Sequence, residues 1–251
     1  MKKSMASICM VMMILILSSG MALARNGKLG NQAGMNGGGT AVALLPYETP
    51  SDDEIAALTH MAEEEKLARD VYNVLYDIYE IPAFANIAKA EQRHMDAVIS
   101  LLDKYGLENP ATLAAGQFNN ADLQDLYDDL ISSGQENEED ALLVGMTIED
   151  VDIYDLRYEL TLVDNEDIST VFGNLLKGSE NHMRAFASLL AMYGYDPYEA
   201  QFLTQEEIDE ILATARTQGR KTSMGNGSAA QKDQNNMIDA DGDGICDFLQ
   251  Q

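Results

Sequence analysis

Residues 52–80 read DDEIAALTHMAEEEKLARDVYNVLYDIYE, and their apolar side chains recur every three to four positions. That spacing places them on one face of an α-helix, as in helices that pack into bundles. Ser51 and Glu54 have the spacing of a capping box, which begins a helix. The predicted inner face is Leu58, Met61, Glu65, Ala68, Tyr72, Leu75 and Tyr79. The segment therefore predicts a long amphipathic helix with a glutamate midway along its apolar face.

Three further long segments share this periodicity, namely residues 82–105, 138–163 and 167–193. Pro82 suits the first position of a helix. Shorter helices are predicted at 121–132 and 208–216, the latter after a second capping box that begins at Thr204. No segment shows a convincing strand-like alternation. The sequence therefore predicts an all-α fold, a four-helix bundle with short additional helices.

Polar groups interrupt each of the four apolar faces near its middle. They are Glu65 in the first segment, Glu91 and His94 in the second, Glu149 in the third, and Ser179 and His182 in the fourth. An ionised carboxylate in a bundle core costs several kcal/mol unless it is paired or coordinated. Four helices that place polar groups inward at a similar depth therefore predict one shared site around a cation.

Two alternatives to a cation site remain open from the residues themselves. Another register of the first helix, through His60, turns Glu64 rather than Glu65 inward, and His60 otherwise lies at the surface or behind the ligands. The glutamates could instead form a buried network with arginine, for which the candidates are Arg69, Arg93, Arg157 and Arg184. Tyr72 fits either a packed core tyrosine or a group that orients a ligand or carries a radical.

Two motifs carry a resemblance to a known family. Glu91 and His94 form an E-x-x-H pair, and Glu65, Ala68, Arg69 and Tyr72 form E-x-x-A-R-x-x-Y. Both resemble rubrerythrin-type members of the ferritin-like di-iron carboxylate superfamily. The stretches 63–72, 84–88, 91–95, 148–153 and 178–182 look closest to the DUF2202 family, and the similarity spans about residues 49–198.

The resemblance implies a ferritin-like four-helix bundle and a ligand set. By position that set is Glu65, Glu91, His94, Glu149 and His182. The sequence departs from the superfamily at Ser179, where a second E-x-x-H pair would have glutamate, and Asp152 is the candidate replacement. The implied cofactor is iron, with manganese or zinc as alternatives, bound as one metal ion or an asymmetric pair.

The charge of the chain restricts its partners. The 251 residues are 46% apolar and carry 16 Lys and Arg against 42 Asp and Glu, a net charge of -26. This balance argues against a nucleic-acid-backbone binder and against docking on anionic lipid. It is compatible with metal ions as partners and equally with a soluble extracytoplasmic protein.

The N-terminus predicts export from the cytoplasm. Lys2 and Lys3 precede an apolar run and the small-residue motif at 22–24, so residues 1–24 are interpreted as a signal peptide, with an uncleaved anchor as the alternative. Residues 25–48 form a Gly- and Asn-rich linker before the bundle domain at 49–216. The predicted location is secreted or extracytoplasmic, with no stable membrane span after cleavage. The extensions on either side of the bundle are expected to be flexible.

The C-terminus predicts a calcium loop. After a polar linker at 217–238, residues 239–247 have the D-x-D-x-D-G spacing of such loops. The candidate ligands are Asp239, Asp241, Asp243, Ile245 and Asp247. Cys246 would be the single cysteine after cleavage, which allows a disulfide-linked homodimer.

Three functions fit these observations. The first is a secreted ferritin-like oxidoreductase with ferroxidase or peroxidase chemistry. The second is a non-catalytic metal- or calcium-binding cell-surface protein that uses the bundle as a scaffold. The third is a helical interaction module with a buried polar network. A fold of this kind does not establish catalysis, so whether the chain is an enzyme stays open at this stage.

Overall fold

The computed structural model describes residues 48–222, with side chains as far as residue 214. In this part of the chain all regular structure is helical. The helices are α1 Asp52–Tyr79, α2 Pro82–Tyr105, α3 Ala121–Gly134, α4 Glu138–Glu159, α5 Glu166–Tyr193 and α6 Gln205–Thr222. The predicted all-α class is confirmed.

The helix ends follow local sequence signals. The Ser51 side chain and Glu54 form the predicted capping box at the start of α1. Pro82 opens α2 without a side-chain cap, where its missing N–H costs nothing. Gly106 and Gly194 end α2 and α5 in the left-handed conformation, which glycine adopts without strain.

Several predicted helix boundaries were wrong by a few residues, two of them for clear local reasons. The third long segment was expected to continue to residue 163, but α4 ends at Glu159 and the chain turns. Tight bonds from Thr161 N–H to the Tyr158 carbonyl (2.9 Å) and from Leu162 N–H to the Glu159 carbonyl (2.9 Å) close that turn. The last helix begins at Gln205, earlier than residue 208, because Thr204 and Glu207 cap it reciprocally.

The four long helices associate as two antiparallel pairs. Helix α1 packs along α2 and α4 packs along α5, and the pairs join where α2 meets α5 and α1 meets α4. Helix α3 packs on α1 and α4, while α6 packs on α5. The short connections between consecutive helices, such as residues 80–81 and 160–165, favour this arrangement.

A polar layer divides the interior of the bundle. One apolar cluster contains Tyr72, Phe84 and Phe186 among its buried members. A second contains Leu58, Leu101 and Phe172. The buried polar residues that the sequence places midway along each face lie on all four long helices: Glu65, Glu91, Glu149, Ser179 and His182.

Several sequence predictions concern residues outside this description. The signal peptide, the Gly- and Asn-rich linker, most of the polar linker and the calcium motif at 239–247 lie outside the described residues. Within residues 48–222, no helix has the length and apolar character needed to cross a membrane.

Candidate metal centre

The centre of the polar layer is Glu91, whose carboxylate lies between two imidazole rings. Its Oε2 atom is 2.8 Å from Nδ1 of His94, and its Oε1 atom is 2.9 Å from Nδ1 of His182. The two rings face each other with centroids 5.5 Å apart and planes inclined by 27°. Glu91 and His94 lie three residues apart on α2, so one helical face presents both. A single carboxylate thus joins histidines from two different helices.

Two more glutamates lie beside the histidines. Glu65 of α1 places Oε2 3.4 Å from Nδ1 of His94, and Glu149 of α4 places Oε2 3.5 Å from Nδ1 of His182. Ligand atoms of Glu65, Glu91 and His94 all lie within 4.8 Å of one another, as do those of Glu91, Glu149 and His182. Because Glu91 belongs to both groups, the arrangement could hold one or two cations.

His94 fits against α5 because residue 178 is glycine. A β-carbon at Gly178 would lie 2.5 Å from Cε1 and 2.6 Å from Nε2 of His94. Atoms in packed interiors do not approach so closely, so any larger residue would displace the imidazole. Gly178 therefore determines where one candidate ligand lies.

Asp152 and Ser179 meet where the resemblance leads one to expect a further glutamate. The Ser179 hydroxyl donates a short hydrogen bond to Oδ2 of Asp152, while Oδ1 of Asp152 is buried and accepts none. Burial and repulsion from the three glutamates of the layer raise the pKa of Asp152 well above its usual value. Asp152 therefore lies close to the other carboxylates of the layer. Ser179 is a hydrogen-bond donor to Asp152.

Tyr72 supports the layer from α1. Its hydroxyl donates a 2.5 Å hydrogen bond to Oε1 of Glu149, and its ring packs against Phe84 and Phe186. Burial and the neighbouring Glu149 charge raise the pKa of Tyr72, which keeps the phenol protonated as a donor. The side chain is both a packed core tyrosine and an orienting partner of Glu149.

The two histidines determine which carboxylate keeps its charge. Burial alone would raise the pKa of Glu91, but the charges of His182 and His94 lower it below its ordinary value. Burial raises the pKa of Glu65 to about 8, against the attraction of His94. Burial would lower the pKa of His182, but Glu91 and Glu149 raise it to about 10. Without a metal ion, Glu91 is the ionised group between two imidazolium rings.

The donor set fits a transition-metal ion. When all four buried carboxyl groups of the layer are ionised, two imidazolium charges leave two negative charges unbalanced; the four are Glu65, Glu91, Glu149 and Asp152. Oε1 of Glu65 and Oδ1 of Asp152 accept no hydrogen bond, and each such orphaned group costs about 1–3 kcal/mol. Cations would satisfy both deficits. Carboxylate oxygens with two imidazoles suit iron, manganese or zinc.

The structure bears on two alternatives that the sequence left open, namely which glutamate of α1 faces inward and whether arginines pair with the buried glutamates. Glu65, not Glu64, lies with Glu91 and His94, although both glutamates are buried. Three of the candidate arginines have other partners. Arg69 bonds Asp70 and Gln92, Arg157 lies beside Glu180 and Glu207, and Arg184 bonds Glu180, Asn181 and the Ile211 carbonyl.

One cluster escaped the sequence analysis. His60 and Glu64 of α1 lie with Asp155 of α4 in a third group of potential ligands. The sequence predicted His60 at the surface or behind the ligands and gave no role to Asp155. The signal available was the four-residue spacing of His60 and Glu64, which puts both on one helical face.

These features define the class of the protein as an all-helical bundle with buried carboxylate–histidine clusters that could hold metal ions. The domain family described as "Uncharacterized protein domain (DUF2202)" matches residues 54–215, and the chain belongs to this family.

A relative and a solved structure extend the comparison. The chain is 46% identical over 179 residues to the uncharacterized protein MJ0754 of Methanocaldococcus jannaschii. The aligned region covers 71% of this chain and 96% of that protein. The crystal structure of the hypothetical protein MJ0754 superposes with a TM-score of 0.66 at 48% identity, covering 67% of this chain and 97% of the other. The helical fold is therefore shared with a solved relative.

Proposed function

We propose that this protein is a ferritin-like metal-binding protein whose polar layer holds one or two transition-metal ions. The observation that carries the proposal is Glu91, whose two oxygens contact Nδ1 of His94 and Nδ1 of His182 at the junction of two ligand groups. Glu65 and Glu149 would each complete one group, and Asp152 would add an oxygen ligand. Iron is the first candidate, followed by manganese and zinc.

Metal content tests this proposal directly. The full chain would be offered iron, manganese, zinc and calcium together, desalted, and measured by ICP-MS. We expect the wild type to bind one to two transition-metal ions per chain more than Glu91→Gln and His94→Ala/His182→Ala do. The matched control is Asp77→Asn/Asp103→Asn, which removes exposed carboxylates from α1 and α2 and should bind as the wild type does. Absence of transition metal from the wild type under every loading condition would refute the proposal.

We also propose that the centre is redox-active when iron is bound. Iron with an open coordination position supplies redox chemistry with O₂ or peroxide. Tyr72 would hold Glu149 in place, and the 16% exposed side chain of His94 gives small molecules an approach to an otherwise buried layer. Oxidation of added Fe²⁺ in air, followed by absorbance, should exceed the buffer rate in the wild type but not in Glu91→Gln. Equal rates would indicate metal binding without catalysis.

Export and calcium binding complete the proposal. The basic start, apolar run and small-residue motif support a signal peptide at 1–24, and the spacing of Asp239, Asp241 and Asp243 supports a calcium loop. N-terminal sequencing of the protein recovered outside the cytoplasm should begin at Arg25. A start at Met1 in the membrane fraction would instead support an uncleaved anchor.

A further inference from the structure

A second group of ligand-type side chains lies apart from the polar layer, where α1 and α4 meet. His60 and Glu64 are one turn apart on α1, and Asp155 and Glu159 are one turn apart on α4. Nδ1 of His60 is 3.2 Å from Oε1 of Glu159 and 3.7 Å from Oε2 of Glu64. Ligand atoms of His60, Glu64 and Asp155 lie within 4.8 Å of one another. Two helices thus present one imidazole and three carboxyl groups to one another.

Glu64 is the observation that points to a ligand. The residue is 3% exposed, and neither of its carboxylate oxygens accepts a hydrogen bond. Oε2 of Glu159 is likewise buried without a hydrogen bond. A carboxylate removed from water without a compensating donor or cation is strongly disfavoured.

Charge within the group is unbalanced. A protonated His60 would neutralise one carboxylate, and a proton shared between Glu64 and Asp155 would neutralise another, which leaves the third uncompensated. A divalent cation would balance the group without requiring either proton. An imidazole nitrogen with several carboxylate oxygens suits Mn²⁺, Fe²⁺ or Zn²⁺.

The group is separate from the centre around Glu91. Glu64 and Glu65 are neighbours in sequence, so their side chains leave α1 about 100° apart. Glu65 lies with His94, whereas Glu64 lies with His60. The His60 side chain is 20% exposed, so the group at His60 is in contact with solvent.

We propose that His60, Glu64, Asp155 and Glu159 form a second, solvent-accessible site for a divalent transition-metal ion. Its ion exchanges with solvent through the His60 side of the bundle. The site is complete without any ligand of the Glu91 centre, so it does not depend on the function proposed above.

Binding of Mn²⁺ to the full, metal-stripped chain tests this proposal. Free Mn²⁺ is counted by its six-line EPR signal, and all variants keep the C-terminal aspartates. We expect Glu64→Gln/Asp155→Asn to bind about one Mn²⁺ fewer per chain than the wild type. Glu91→Gln should lose the ion or ions of the inner centre and keep this one, and Asp77→Asn/Asp103→Asn should bind as the wild type does. Equal Mn²⁺ binding by the wild type and Glu64→Gln/Asp155→Asn would overturn the proposal.

The histidine content of the chain allows a second, direct measurement. The sequence contains three histidines, so His94→Gln/His182→Gln leaves His60 alone. Bound Mn²⁺ in this variant should show imidazole ¹⁴N coupling by electron spin echo spectroscopy, and the coupling should vanish when His60→Gln is added. Bound Mn²⁺ without ¹⁴N coupling, or no bound Mn²⁺, would refute this site and leave the inner one untouched. Circular dichroism of each variant establishes that the helices are intact.

Discussion

Two glycines of α5 separate backbone preference from site geometry. Gly173 has open space where a β-carbon would lie, whereas the same atom at Gly178 would meet His94. Gly173→Ala should therefore raise the free energy of unfolding by roughly 0.5–1 kcal/mol, because alanine favours a helix interior. Gly178→Ala should not increase the free energy of unfolding in this way, because its methyl group would meet His94. It should also weaken Mn²⁺ binding by displacing the His94 imidazole. Chemical denaturation and metal titration measure the two effects, and equal Mn²⁺ affinity in both variants would contradict the assigned role of Gly178.

Asp152 and Ser179 can be tested as ligand and support. Asp152→Asn removes a carboxylate whose free oxygen is buried, so the inner centre should bind metal more weakly. Ser179→Ala keeps that carboxylate and removes only its hydrogen bond, which we expect to cost a smaller factor of about 10 in affinity. Metal titration of both variants shows which substitution causes the larger loss of affinity. A larger loss in Ser179→Ala would mean that the hydroxyl, not Asp152, is the important group.

At the scale of elements, Glu54 ties the start of α1 to the start of α5. Its carboxylate accepts from Ser51 N–H (2.8 Å), from Asn165 N–H (2.9 Å) and from the Asn165 side-chain amide (3.1 Å). Burial would raise the pKa of Glu54, but these donors outweigh it and lower the pKa below its ordinary value of 4.5. The contribution of Glu54 to stability is therefore present above about pH 4.5 and is lost as pH falls through the folded-state pKa.

Glu54→Gln should thus lower the free energy of unfolding by about 2 kcal/mol at neutral pH. Urea unfolding followed by circular dichroism is the measurement, since the chain contains no tryptophan. The difference from wild type should shrink as pH falls toward about 3. Asp53→Asn is the control, because Asp53 is exposed in the same turn. A difference that stays constant with pH would show that charge on Glu54 is irrelevant.

Lys66 fastens the connection between α2 and α3 to α1. It is 1% exposed, pairs with Asp70 at 2.7 Å and donates to the carbonyl oxygens of Ala114 (3.0 Å) and Gln117 (3.1 Å). Its ammonium also lies 4.2 Å from the centre of the Phe118 ring. Lys66→Met would leave these acceptors buried without their donor.

We expect Lys66→Met to cost about 2 kcal/mol, because the carbonyl oxygens of Ala114 and Gln117 lose their donor and Asp70 keeps only Arg69 as a charged partner. Cleavage between residues 106 and 120 by an added protease should become faster. Denaturation and limited proteolysis measure both effects, with Lys89→Met at an exposed position of α2 as the control. Equal unfolding free energies and equal cleavage rates in Lys66→Met and Lys89→Met would show that Lys66 does not hold the α2–α3 connection in place.

At the scale of the whole molecule, the polar layer is where the four long helices converge. Metal ions in its two ligand groups would together bind side chains from α1, α2, α4 and α5, and the unfolded chain offers no such set. Mn²⁺ at one hundred times its dissociation constant should therefore stabilise the fold by about 2.7 kcal/mol. Thermal unfolding with Mn²⁺ and with EDTA measures this, and Glu91→Gln should respond far less. An unchanged melting temperature in the wild type would argue against a metal linking the helices.

Periodicity was sufficient for the helices and most of the inner faces. The predicted face of the first helix is buried at Leu58, Met61 and Tyr72, because apolar residues at helical spacing have one face to bury. The residues at which the helices end were less predictable. The tight turn after Glu159 depends on short-range hydrogen bonds that a periodicity of apolar residues does not describe.

The sequence by itself determined that four helices carry polar groups midway along their buried faces, because residue type and spacing fix which side chains share a face. Only the tertiary structure decided that Glu91 lies between His94 and His182, that Gly178 makes room for a ring, and that His60 and Glu64 meet Asp155. Those contacts join different helices, and their geometry depends on how the helices pack rather than on the spacing within any one of them.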